Sequence, residues 1–240
     1  GKDVGANYDF VCSPGTLTIL PRPITVQTAD GAWYYDGEEH VQPNHAVTDE
    51  GLGLVAGHAT QAVQCAKITD AGNAANTLAV HVFSEDGKNV TANYDITYRT
   101  GTLTVLPRPI TVTAASAEKV YDGTALTEGG VIVTSEYEPA LVAGHTYTAK
   151  TEGSITDAGK AENTVIEFAV FDASGRNVTA NYKISFGTGV LTVYRRPVTF
   201  KTASNEWIYD GEEHFDAGFA LSESNENDPA LVAGHRAEVW

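Results

Sequence analysis

Val165-Ile166-Glu167-Phe168-Ala169-Val170-Phe171 and its earlier counterpart Thr77-Leu78-Ala79-Val80-His81-Val82-Phe83 place an apolar side chain at every second position. Ile166/Leu78, Phe168/Val80 and Val170/Val82 make one face, with Glu167/Ala79 and Ala169/His81 opposite. A period of two with one apolar face is a half-buried strand, and the β-branched and aromatic content agrees. Ile110-Thr111-Val112-Thr113 and Leu191-Thr192-Val193 alternate in the same way. No stretch has helical spacing, so the sequence predicts an all-β chain.

Around these strands the same passage returns three times, at 1–20, 87–106 and 175–194. A short hinge follows each copy: Leu20-Pro21-Arg22-Pro23, Leu106-Pro107-Arg108-Pro109 and Tyr194-Arg195-Arg196-Pro197. The hinges stand 86 and 88 residues apart, a period at which one domain is used repeatedly. A unit of that size can bury its own core, since domains of about 60 residues already do so. The expected division is 1–20 as the C-terminal part of a preceding repeat, 21–106 and 107–194 as complete repeats, and 195–240 as the N-terminal part of a further one. With no methionine in the chain, the expectation is a window within a longer protein.

The turns are as regular as the strands. Tyr-Asp-Gly recurs at 35–37, 121–123 and 209–211, Val-Ala-Gly-His at 55–58, 142–145 and 232–235, and Thr-Asp-Ala-Gly at 69–72 and 156–159. Glycine accepts positive φ there, and aspartate bonds its own nearby backbone. Gly101 and Gly189, each between two strand-like runs, suggest hairpins. The spacing from Tyr-Asp-Gly to Val-Ala-Gly-His varies between copies, and one extra residue enters between Asp157 and Gly175. Insertions are expected in surface loops. Proline fixes φ and drives the preceding residue toward extended geometry, so each hinge is expected to be a semi-rigid joint.

Thirty-one acidic residues against fifteen basic ones give a net charge of −16, which repels phosphate backbones and argues against nucleic acid as a partner. No apolar run reaches the roughly 20 residues of a membrane helix. Cys12 and Cys65 do not recur in other copies, so no disulfide framework belongs to the repeat; a bridge between these two stays open.

The order Pro-Ile-Thr-Val-Thr, Lys-Val-Tyr-Asp-Gly, Ala-Gly-His, Asp-Ala-Gly, Asn-Tyr-Lys-Ile, Gly-Val-Leu-Thr-Val resembles the MBG/YDG-type tandem β repeats of large bacterial cell-surface, adhesin-like proteins. The likeness covers essentially the whole chain. It implies an all-β module, extracellular display at a bacterial cell surface, and a stalk or adhesive role, and it carries over no catalytic residue.

Several residue sets invite chemistry. His58, His145 and His235 recur, but no second histidine recurs beside them, and zinc requires three or four ligands; turn duty is the simpler reading. Asp36/Asp122/Asp210 with Asp70/Asp157 could gather around calcium, though no run has the alternating acids of a calcium loop. Asn89-Val90-Thr91 and Asn177-Val178-Thr179 match a glycosylation sequon; a turn is the alternative. No lysine recurs at a core-like position, which argues against a lysine–asparagine crosslink. Trp33-Tyr34-Tyr35-Asp36-Gly37-Glu38-Glu39-His40, echoed at 207–214, carries aromatic rings beside carboxylates, the equipment for stacking on a sugar. Trp33, Tyr34, His40, Trp207 and His214 are the candidate glycan contacts, against a reading in which the rings simply cover an edge strand. Nucleophile elbows, phosphate loops and Cys-x-x-Cys pairs are absent.

These observations predict tandem Ig-like β-sandwich modules in an extended rod, with β-grasp-like or elongated sheet modules as the alternative. The expected function is non-catalytic: a semi-rigid stalk that projects an adhesive head, without cofactor or metal. Two alternatives stand beside it, a module binding host glycans or mucin, and a subunit that self-assembles with neighbouring copies.

Overall fold

The computed structural model describes residues 1–48, 52–222 and 230–238. It is nearly all β, and it divides into two compact units, Gly1–Leu106 and Pro107–Trp240. The division falls between Leu106 and Pro107, at the second hinge.

In the first unit, strands β1 (Arg22–Thr28), β2 (Gly31–Tyr34), β3 (His45–Thr48), β4 (Ala59–Cys65), β5 (Gly72–Asn76), β6 (Leu78–Phe83), β7 (Tyr94–Arg99) and β8 (Gly101–Leu106) follow in order. They form three small sheets, β3-β1-β7, β2-β8-β5 and β4-β6. The second unit repeats the plan with β9 (Arg108–Ala114), β10 (Ala117–Val120), β11 (Val131–Thr134), β12 (Thr146–Glu152), β13 (Gly159–Phe171), β14 (Tyr182–Gly187) and β15 (Gly189–Tyr194). Its sheets are β11-β9-β14 and β10-β15-β13-β12. The long β13 does the work of β5 and β6 together, pairing first with β15 and then with β12. β16 (Thr199–Thr202) and β17 (Phe219–Ser222) pair with each other, and Phe200 stacks on Phe219 with centroids 5.0 Å apart.

The first and last strands of each repeat run parallel. Arg22 pairs with Tyr94 and Ile24 with Ile96; after a break the same register resumes, from Gly31 on Leu103 to Tyr34 on Leu106. β9 and β10 pair with β14 and β15 in the same way. Consequently the chain enters a repeat at one end of this ladder and leaves at the other.

The alternating face read from the sequence becomes the core of the first unit. Leu78, Val80 and Val82 of β6 are buried against Ile24, Val26 and Tyr94 from the β3-β1-β7 sheet. A fully buried valine of this kind contributes about 1.5–3 kcal/mol.

Three expectations change. Gly101 and Gly189 do not make hairpins: β7 and β8 belong to different sheets, and the glycine marks the crossing between them. A Cβ on Gly101 would lie 2.6 Å from the Ala29 carbonyl oxygen, and one on Gly189 would lie 2.4 Å from that of Ala115. Glycine is required here by close backbone approach. The extra residue between Asp157 and Gly175 sits inside a strand as well. Lys150 pairs with Glu167 and Thr151 with Val165, so Ile166 is bulged out and exposed. That overturns Ile166 as a core-face residue.

The connection from Tyr-Asp-Gly to Val-Ala-Gly-His is more than a loop, since β3 and β11 lie in it, each starting nine residues after the turn aspartate. Its length variation therefore follows the strand; residues 49–51 and 223–229 of that connection lie outside the described residues. Residues 8–20 form no strand, and Leu17 and Ile19 are fully exposed.

Candidate functional site

Trp33 and His40 come together on the edge of the β2-β8-β5 sheet. Their rings stack with centroids 4.7 Å apart and planes at 13°, and the six-membered ring of Trp33 lies over Gly31. His40 Nε2 stands 3.0 Å from Asp36 Oδ1, which also accepts the Glu38 backbone N–H at 2.9 Å. In the second unit Trp207 stacks on His214 at 5.2 Å and 8°, with His214 Nε2 2.9 Å from Asp210 Oδ1. Tyr34 is not part of the stack: strand alternation turns it to the other side, where it is exposed.

The middle copy shows what this arrangement replaces. Lys119 Nζ donates to Asp122 Oδ1, Thr124 O and Thr124 Oγ1, each at 2.7 Å. The Lys119 hydrogen bond, followed by those from Thr124, holds the Asp122 carboxyl well below the usual carboxylate range. Lys119 thus bonds the Tyr-Asp-Gly turn directly, whereas Trp33 and Trp207 stack on the histidine that bonds the turn aspartate. The backbone of the histidine position is conserved in role: His40 bridges to Ile68 as Leu126 does to Ile155, which is why leucine can stand there.

The recurrent histidines brace the other turn. His58 Nδ1 lies 2.6 Å from Tyr94 Oη, which accepts the Val55 backbone N–H at 3.1 Å. The second unit repeats this with His145 Nδ1 2.8 Å from Tyr182 Oη and Val142 N–H at 3.1 Å. Because Tyr182 Oη already accepts from Val142, its proton is directed at a neutral His145 Nδ1. Burial lowers the His145 pKa; nearby Asp172 opposes that and Arg176 adds to it.

Two further residue sets, which motif reading passed over, hold each repeat together. The hinge arginine turns back onto its own repeat. Arg22 donates through Nε to Gly53 O at 2.6 Å and through Nη2 to Leu52 O. Arg108, 8% exposed, donates to Ala140 O at 3.0 Å and Pro139 O at 2.7 Å, with its guanidinium 4.7 Å from the Tyr137 ring centre. Asn76 and Asn163 are fully buried where the chain passes between sheets. Asn76 Nδ2 donates to Ala29 O (2.7 Å) and Gln42 O (3.0 Å), and Asn163 Nδ2 to Ala115 O and Glu128 O (both 2.9 Å). Their signal in the sequence was position: arginine stands in every hinge, and each asparagine lies four residues after the Asp-Ala-Gly glycine.

The sequon positions form side-chain turns. Asn89 Oδ1 accepts from Thr91 N and Oγ1, and Asn177 Oδ1 from Thr179 N. Thr91 and Thr179 in turn cap Val82 N and Val170 N. Cys12 and Cys65 are free thiols, Cys12 exposed and Cys65 half-buried. Among the described residues no group of three or more His, Cys, Asp or Glu is placed to hold a metal ion, and no helix is long and apolar enough to cross a membrane.

No protein-family model matches the chain, and no curated protein matches it.

Proposed function

We propose that these repeats are spacers, a non-catalytic stalk that holds another part of a surface protein at a distance. The observation that carries the reading is the parallel pairing of first and last strands. Thirteen residues from Arg22 to Tyr34, at a rise of about 3.3 Å, separate entrance from exit by about 40 Å. A module with antiparallel ends returns the chain to its start and adds little reach. Here each repeat contributes its whole length, and the hinge proline allows little slack. The charge of −16 keeps neighbouring stalks apart. The recurrent side chains support the same reading, since His–Tyr, Arg–carbonyl and Asn–carbonyl contacts all brace turns and strand crossings.

Solution scattering from the whole chain tests this. Two complete repeats laid end to end give a largest dimension of at least about 80 Å. A radius of gyration near ~18 Å, the value for a compact chain of this length, overturns it. Trp207, 49% exposed beside His214, is where a sugar ring would stack. Glycan binding lost in Trp207→Ala would add an adhesive role to the spacer.

A further inference from the structure

The two signature turns of a repeat stand at opposite ends of its parallel ladder. At the entrance, Arg22 is in register with Tyr94, and both hold the segment around Val55-Ala56-Gly57-His58: the arginine through Leu52 and Gly53, the tyrosine through Val55 and His58. Arg108 and Tyr182 do the same for Val142-Ala143-Gly144-His145. At the exit, Tyr35 N–H donates to Leu106 O at 2.9 Å, and Tyr121 N–H to Tyr194 O at 2.9 Å. Tyr-Asp-Gly therefore sits where the chain leaves a repeat, and Val-Ala-Gly-His where it enters one.

We infer that Tyr121-Asp122-Gly123 is the seat on which the next entrance turn, Val232-Ala233-Gly234-His235, docks to close the joint around the hinge. The contact is present within the second unit. The Tyr121 and His235 rings lie 5.9 Å apart with planes at 34°. A Cβ on Gly123 would stand 2.7 Å from Val232 Cγ1. A cavity of about 380 Å³ beside the contact is lined by Tyr121, Arg195, Arg196, Leu231, Val232 and His235, so the hinge itself forms part of its wall. Gly123 thus has two duties. Its φ of 81° is needed for the turn, and its missing side chain admits the valine. The joint is a specific surface whose partner is the adjacent copy of the same module, and this holds whatever the repeats carry.

The two duties separate in an experiment on the full chain. Asparagine tolerates positive φ but brings a side chain. Gly175 has the same φ of 81° with nothing within 4 Å of its Cβ position, so Gly175→Asn is the matched control. The readout is tryptic cleavage of the Arg195–Arg196 bond, which follows how often the joint opens. Gly123→Asn should speed that cleavage by about tenfold over Gly175→Asn. Val232→Asp, which leaves the turn untouched, should do the same. In the folded protein, the Val232 methyl resonances should move when Tyr121→Leu removes a ring that lines the same cavity. Equal cleavage in Gly123→Asn, Val232→Asp and the control, or Val232 methyls indifferent to Tyr121→Leu, overturns the inference.

Discussion

Replacing Asn163 by aspartate changes almost no volume and reverses one chemical property. The asparagine Nδ2 gives one proton to Ala115 O and one to Glu128 O, at 2.9 Å each, from a position with no exposed surface. Among the described residues its Oδ1 has no hydrogen-bond donor. An ionised carboxylate donates nothing, so Asn163→Asp leaves two buried carbonyls without a donor at about 1–3 kcal/mol each. Burial raises the new carboxyl's pKa, because desolvation disfavours the charged form. The expected loss at pH 7.5 is about 4 kcal/mol, a large share of a domain's 5–15 kcal/mol. A group whose pKa is raised by folding draws protons into the folded state. The penalty is therefore full above the raised native pKa, shrinks as pH falls through it, and levels off below the unfolded value of about 3.9. The protonated acid regains one donor, so about half the loss should return at low pH. Urea unfolding followed by far-UV circular dichroism, parent beside variant at pH 7.5 and pH 5, gives both quantities. Equal midpoints at pH 7.5, or a gap that stays constant between the two pH values, refutes this account of the crossing.

Gly189→Ala is expected to destabilise the second unit by about 2–3 kcal/mol through overpacking alone, since the added Cβ would lie 2.4 Å from Ala115 O and 2.5 Å from Ala114 O; an unchanged melting temperature would contradict it. The His145–Tyr182 clamp should weaken in acid. Burial lowers the His145 pKa, with Asp172 and Arg176 acting in opposite directions, so the unfolded chain takes up its proton first, near its ordinary value of about 6.5. The clamp's contribution is complete above that pH and is lost as pH falls through the native pKa. Amide exchange at 142–145 should accelerate between pH 7 and pH 5 beyond the intrinsic pH effect, and His145→Gln should abolish the excess; an equal excess in the variant would exclude the histidine as its source.

Much of this architecture was legible in the residues, and the limit of that legibility has a physical pattern. Alternation along 77–83 was sufficient for strand type and for the face that Leu78, Val80 and Val82 bury, because side-chain direction in a strand is a local property with period two. The turn duty of Asp36, Asp122 and the sequon asparagines was equally local, each bonding backbone two residues away. The copies put a hinge at Leu106-Pro107, which is where the two compact units divide. Ile166 marks where local reading stops: its alternation predicted the core face, but the pairing of β12 with β13 skips it. The candidate glycan residues divide the same way. Trp33 with His40 and Trp207 with His214 are gathered by short-range turns, whereas Tyr34 is carried to the opposite side of its strand.

What tertiary structure alone decided is the partner of each strand and the direction of pairing. Nothing in the stretch 94–106 says that it runs parallel to 22–34, because a strand's hydrogen-bonding groups are identical on both edges and in both directions. The choice is made by contacts distant in the chain: Thr28 donating to Asn76 O, Gly101 admitting the Ala29 backbone, Arg22 reaching Gly53. Those long-range contacts determine that the chain enters and leaves each repeat at opposite ends.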